Sequence, residues 1–254
     1  MTSDPGGGHE HPIVALHGFT QTGRSWSPIA KLFATEFFAP GLPGHGEASE
    51  ERPATLVDAA ELVLRRVTAD LGGRPAWWIG YSLGGRVLLH LALRHPDLVA
   101  GLVLVSTTAG IDDAEERKRR VIADTALADE IERDGAAPFI DRWLTQPLFV
   151  TLTTTDADRA DRRRNSAAGL AASLRSCGTG TQLPLWDRLP ELRVPSVIVT
   201  GTLDTKFTQI GERLQVTLPR AVHHRLDGAG HACHLEQPQR FVDAVREGRR
   251  RLTA

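Results

Sequence analysis

Cysteine is almost missing from this chain: Cys177 and Cys233 are the whole supply in 254 residues. Two thiols cannot staple a disulfide framework, and they fit a reducing compartment. An excess of one charge is missing as well. Lys+Arg 30 nearly cancel Asp+Glu 31, and a net charge of −1 leaves no cationic surplus for neutralising a nucleic-acid backbone. No stretch approaches the ~18 apolar residues of a membrane span. The longest, Leu98 to Val105, has the length of a strand. The N-terminal residues carry neither a basic n-region nor an apolar h-region, so no secretion signal is expected and the cytoplasm is the expected location. Lysine is scarce, with Lys31, Lys118 and Lys206 making 3 of the 30 basic residues. Runs of arginine therefore say little here, and a lysine in a particular place says more.

What the chain does have is apolar material. It is 41% hydrophobic against 24% charged, enough for the core of one large α/β domain. After a Gly-rich lead-in at residues 1–11, read as flexible, apolar runs alternate with helical stretches. Strands are expected at 13–16, 37–39, 77–79, 102–105, 196–200 and 222–226. Helices are expected near 26–33, 55–71, 82–94 and 237–251. Nearly continuous apolar strands separated by helices predict a mostly parallel sheet flanked by helices on both faces. Between residues 111 and 187 the rhythm stops, and the sequence is helical and charge-rich. That span is too long for an idle loop and has the size of a lid inserted into a core made of 12–110 and 188–254.

The sharpest local signal is Gly80-Tyr81-Ser82-Leu83-Gly84, a G-x-S-x-G motif between an apolar strand and a helix. Glycines at those positions let strand and helix approach closely enough to lift a serine hydroxyl above the sheet, as in the α/β-hydrolase fold. A serine needs a base, and the base needs an orienting acid. Asp204 follows the strand at 196–200, and His231 lies in Gly228-Ala229-Gly230-His231 after the strand at 222–226. The order Ser, acid, His is the one this fold uses. Asp227 is the fallback acid. Backbone N–H groups of Leu83 and of Phe19, in His17-Gly18-Phe19, are the candidate oxyanion hole. His223, His224, Cys233 and His234 lack the spacing of a zinc site. No phosphate loop, metal set or dinucleotide fingerprint implies a cofactor. His17 and His45 read as residues that shape their loops.

Arg86 lies one turn into the helix that follows Ser82. A guanidinium there suits a substrate carboxylate, although a structural salt bridge would also place it. Lys206 stands two positions past Asp204, on the rim of the same site. Trp143 reads equally as lid core or pocket wall, and Tyr81 as packing residue or pocket residue. The Glu116–Arg120 and Arg162-Arg163-Arg164 runs, taken alone, read as solvated faces.

Gly80-Tyr81-Ser82-Leu83-Gly84-Gly85-Arg86 resembles the nucleophile motif of the 2-succinyl-6-hydroxy-2,4-cyclohexadiene-1-carboxylate synthases of menaquinone biosynthesis, which have the α/β-hydrolase fold. The likeness runs from Leu16-His17-Gly18-Phe19 through Glu116-Arg117 to Arg120. It continues through Trp143-Leu144-Thr145-Gln146-Pro147, Arg164-Asn165 and Asp204-Thr205-Lys206-Phe207, and ends at Gly228-Ala229-Gly230-His231. Gly41 stands where many relatives carry Asp, and Ser106 to Gly110 is less typical. The resemblance implies a substrate with three carboxylates, a small-molecule polycarboxylate, from which pyruvate is eliminated. It implies Ser82, His231 and Asp204 as the base that removes a ring proton. It also implies Arg86, Arg120, Arg164 and Lys206 as carboxylate partners, with Tyr81 and Trp143 lining the pocket.

A hydrolase of an anionic ester or of a carbon–carbon bond, with Ser82 as nucleophile, would use the same residues. A ligand-binding protein on a retained hydrolase scaffold is a third reading. No membrane or nucleic-acid partner is expected, and the sequence leaves the oligomeric state open.

Overall fold

Six short strands form where the apolar runs are: β1 (Ile13–Leu16), β2 (Phe37–Phe38), β3 (Ala76–Tyr81), β4 (Val99–Val105), β5 (Ser196–Gly201) and β6 (Ala221–Leu226). They are seen in a computed structural model that describes residues 11–253, so residues 1–10 of the expected lead-in lie outside the described residues. All neighbouring strands run parallel, in the order β2-β1-β3-β4-β5-β6. Leu16 sits beside Gly80, and Tyr81 beside Val105. The C-terminal ends of the central strands thus reach one edge of the sheet together, where loops of such folds carry ligands.

Ten helices accompany the described sheet. They are α1 (Ser27–Ala30), α2 (Leu56–Leu71), α3 (Leu83–Arg94), α4 (Ala114–Asp134), α5 (Ala136–Trp143), α6 (Asp156–Arg162), α7 (Ala167–Cys177), α8 (Thr205–Thr217), α9 (Cys233–Glu236) and α10 (Pro238–Thr253). The local rules behind them are visible in α2. Thr55 caps its N-terminus by accepting from the Asp58 N–H, and Gly72, at φ 57°, ends it in the left-handed conformation. Helix α1 is only one turn of the helix expected at 26–33. Helix α8 is not among the expected helices, although Phe207, Ile210 and Leu214 recur at helical spacing; only Gly211 and Leu214 of its residues are fully buried.

Side chains on the strands alternate between two cores. Val14, Leu16, Trp78, Leu102, Leu104 and Ile198 face α2, α3 and α8. Ile13, Trp77, Ile79, Tyr81, Val103 and Val199 face the opposite side, with Ile29 of α1 and Phe241 of α10. Each fully buried Leu or Ile on these faces contributes about 1.5–3 kcal/mol by leaving water. Between β4 and β5 the chain builds α4 to α7, which close around a third cluster of Ile131, Phe139, Ile140, Leu170 and Leu174. No described helix is long and apolar enough to cross a membrane.

Candidate active site

The turn from β3 into α3 holds Ser82 at φ 50° and ψ −107°, a backbone that costs a non-glycine residue free energy. The surroundings fix it there. Its N–H donates to Val105 O at 2.9 Å, and its carbonyl accepts from Thr107 Oγ1 at 2.7 Å. The glycines are required by contact: a Cβ on Gly80 would lie 2.6 Å from Gly85 Cα, and one on Gly84 would collide with the Leu16 carbonyl. Ser82 is half-buried and faces a cavity of about 900 Å³ that His231 also lines.

Asp204 is set by two elements at once. It caps α8, where Oδ1 accepts from the Phe207 N–H at 3.2 Å, and its Oδ2 lies 2.7 Å from His231 Nδ1. Both side chains are buried. Phe207 packs on the imidazole with ring centroids 4.5 Å apart. With Nδ1 donating to the carboxylate, Nε2 is left to accept a proton from the cavity side. Asp227, the fallback acid, is exposed and accepts from Thr202 Oγ1, so it takes no part in this pair. The backbone N–H groups of Phe19 and Leu83 have no acceptor among the described residues, and both residues line the cavity. His17 bridges its loops, with Nδ1 donating to Gly18 O and Nε2 accepting from the Leu42 N–H.

Cations line the cavity, with Asp112, Asp113 and Glu116 also on its wall. Arg86 is 7% exposed and makes only two long hydrogen bonds, to Gly178 O at 3.3 Å and Gln182 Oε1 at 3.4 Å. Burial pulls its guanidinium down to about 10, so it remains charged at neutral pH. No carboxylate is in ion-pair reach of it among the described residues. Arg120 reaches the same cavity from α4, held by Asp124 at 2.8 Å, and Lys206 lies on the rim. Trp143 forms part of the wall, stacked on Phe139 at 5.6 Å and edge-on to Phe19 at 5.3 Å.

Two residues expected in this pocket lie elsewhere. Alternation along β3 turns Tyr81 to the face of α1 and α10. There it is buried beneath His231, with ring centroids 5.3 Å apart, and beside His234 at 4.3 Å. Arg164 is exposed and lines a different cavity, because it falls in the turn after α6. The inward member of that arginine run is Arg162, while Arg163 pairs with Asp141 at 2.7 Å. The structure also brings in two cations that sequence reasoning passed over, Arg119 and Arg213. Arg213 lies 3.7 Å over the Trp186 ring and pairs with Asp112. It stands two helical turns after Lys206, so recognising α8 would have found it.

With the geometry in view, residues 13–244 match the alpha/beta hydrolase family. The 2-succinyl-6-hydroxy-2,4-cyclohexadiene-1-carboxylate synthase of Pectobacterium atrosepticum is 31% identical over 92% of this chain and 92% of its own. A Bacillus subtilis protein that bears the same name provisionally is 34% identical over 96% of this chain and 92% of its own. The solved structure of MenH from S. aureus superposes with a TM-score of 0.86 at 29% identity, covering 94% of each chain. The chain belongs to the alpha/beta hydrolase family and, within it, to the 2-succinyl-6-hydroxy-2,4-cyclohexadiene-1-carboxylate synthases.

Proposed function

We propose that this chain eliminates pyruvate from 2-succinyl-5-enolpyruvyl-6-hydroxy-3-cyclohexene-1-carboxylate, a carbon–oxygen lyase step of menaquinone biosynthesis. Family membership supports the reaction class, and Arg86 supports the substrate. A buried guanidinium beside Ser82, with no carboxylate in ion-pair reach among the described residues, is costly unless an anionic ligand supplies the pair. Arg120, Lys206, Arg119 and Arg213 line the same space and suit a molecule with three carboxylates.

In this reading His231, oriented by Asp204, takes the Ser82 proton, and the serine oxygen removes a ring proton. The electron pair moves onto the adjoining carbonyl oxygen, which the Phe19 and Leu83 N–H groups receive; each such donor contributes about 3–4 kcal/mol at the transition state. The ring carbon–oxygen bond breaks, the enolpyruvyl group departs as the enolate of pyruvate, and His231 returns a proton to its carbon. One proton leaves carbon and one arrives, so the step balances without a co-reactant.

Pyruvate release from the enolpyruvyl substrate, compared with turnover of a neutral aryl ester, tests the reading. Pyruvate formation that Ser82→Ala abolishes supports it. Ester turnover with no pyruvate formed would establish instead a hydrolase with Ser82 as nucleophile.

A further inference from the structure

The loop that presents the Phe19 N–H is held in an unfavourable shape. Thr20 has φ 66°, a left-handed backbone that a β-branched residue rarely adopts. The Gln21 N–H donates to Gly18 O at 3.1 Å, which makes Phe19 the second and Thr20 the third residue of a tight turn. A glycine would fill that third place without strain. A threonine there must be held by its surroundings, and the holding contacts come from the inserted helices. Asn165 Nδ2 donates to the Thr20 carbonyl at 2.7 Å, and Arg162 Nη1 donates to Thr20 Oγ1 at 2.6 Å.

Asn165 is 4% exposed, and both hydrogens of its amide are used. Besides Thr20 O, Nδ2 donates to Arg162 O at 2.8 Å, at the end of α6, and Oδ1 accepts from the Gly46 N–H at 2.8 Å. That N–H can meet only the oxygen, and the two carbonyls only the nitrogen, so the amide has one orientation. Phe19 leans on the insertion too, its ring edge-on to Trp143 at 5.3 Å and to Phe139 at 6.3 Å. The core holds the other side of the loop. Gln21 Oε1 accepts from the Gly18 N–H at 2.9 Å, and His17 Nδ1 donates to Gly18 O at 2.8 Å.

We infer that Asn165 is a positioning residue for the reaction at Ser82: reaching over from the insertion, it locks Thr20 in the left-handed turn that sets the Phe19 N–H. Leu83 is fixed by the turn after β3 and Phe19 from across the seam, so the two donors are brought to register when the inserted helices are packed in place. The inference rests on the role proposed above for the Phe19 N–H. It does not depend on which reaction follows, since elimination and ester hydrolysis both gather charge on one oxygen.

Kinetics of Asn165→Ala and Thr20→Gly, alone and together, are the test, with pyruvate release and aryl-ester turnover both measured. Asn165→Ala is expected to lower kcat about tenfold or more on whichever substrate the enzyme turns over, while KM changes less than about threefold. Glycine accepts the left-handed turn unaided, so adding Thr20→Gly to Asn165→Ala should restore several-fold of the lost kcat. Thr155→Ala, which removes the cap at the other end of α6, should lower the melting temperature and leave kcat in place. If Asn165→Ala does not fold, Asn165→Asp decides: it keeps an acceptor for the Gly46 N–H and loses both donors, and the same loss and rescue are expected. Unchanged kcat in a folded Asn165 variant, or a loss that Thr20→Gly leaves undiminished, would overturn the inference. A wild-type enzyme that hydrolyses the ester and forms no pyruvate would remove the elimination reading alone, and the ester kinetics would then decide on Asn165.

Discussion

Among the described residues Arg86 and Arg162 are buried with no carboxylate in ion-pair reach, and the regions that hold them are built differently. Arg86 belongs to the core: it rides on α3, one turn past Ser82, and the sheet fixes where it points. Arg162 belongs to the inserted helices, at the last residue of α6, and the region around it is held to the core by a few polar links. Thr22 Oγ1 donates to Asp161 Oδ2 at 2.5 Å, the Gly46 N–H donates to Asn165 Oδ1 at 2.8 Å, and Arg162 itself reaches Thr20. The first cation is carried by the core and meets the insertion at Gly178 O and Gln182 Oε1; the second is carried by the insertion and reaches back to Thr20. The cavity at Arg86 lies between the two, since Arg120 and Trp143 wall it from α4 and α5.

The largest effects should fall on the core side. Under the proposed mechanism Ser82→Ala and Asp204→Asn lower kcat by about 10³-fold or more, with far-UV circular dichroism unchanged. Next comes Arg86→Ala. Losing a charge-assisted pair in a dry pocket costs on the order of 2–4 kcal/mol, so kcat/KM for the trianionic substrate should drop about 30- to 1000-fold. Turnover of a neutral ester should change far less. Equal losses on both substrates would make Arg86 a support of the fold and erase the distinction between the two arginines.

Acid tests the core itself, through His234, packed against Trp26 and Tyr81, and His45, packed against His17 and Phe19. Burial holds His234 at about 3 and His45 at about 4, below their ordinary value in the unfolded chain. The unfolded chain therefore binds more protons as pH falls. The stability these two rings allow is complete above about pH 6.5 and is lost progressively toward pH 3–4. Melting temperature should decline through that window, and His234→Phe should flatten the decline. The smallest effect is expected at Arg164. Being exposed and outside the Ser82 cavity, its replacement by alanine should leave kcat/KM for the trianionic substrate within about twofold.

Legibility in the sequence follows the same division. The β3-Ser82-α3 junction could be read directly, because strand period, glycine contacts and helix start all lie within a dozen residues and agree. Asp204 and His231 were legible for a similar reason, each following an apolar strand in a short loop. Arg162 was not legible. Arg162 is the last residue of α6 while Arg163 and Arg164 fall in the turn after it, and three consecutive arginines carry no signal of where the helix ends. Tyr81 was misplaced by nearness in sequence, since a neighbour on a strand faces the other way.

Asp204 shares its two oxygens between a helix start and an imidazole. The stiffness of α8 is thereby lent to His231: whatever unravels that first turn also lets the ring swing. Wear on the outer surface of this helix would register as a slower enzyme before it registered as a less durable one.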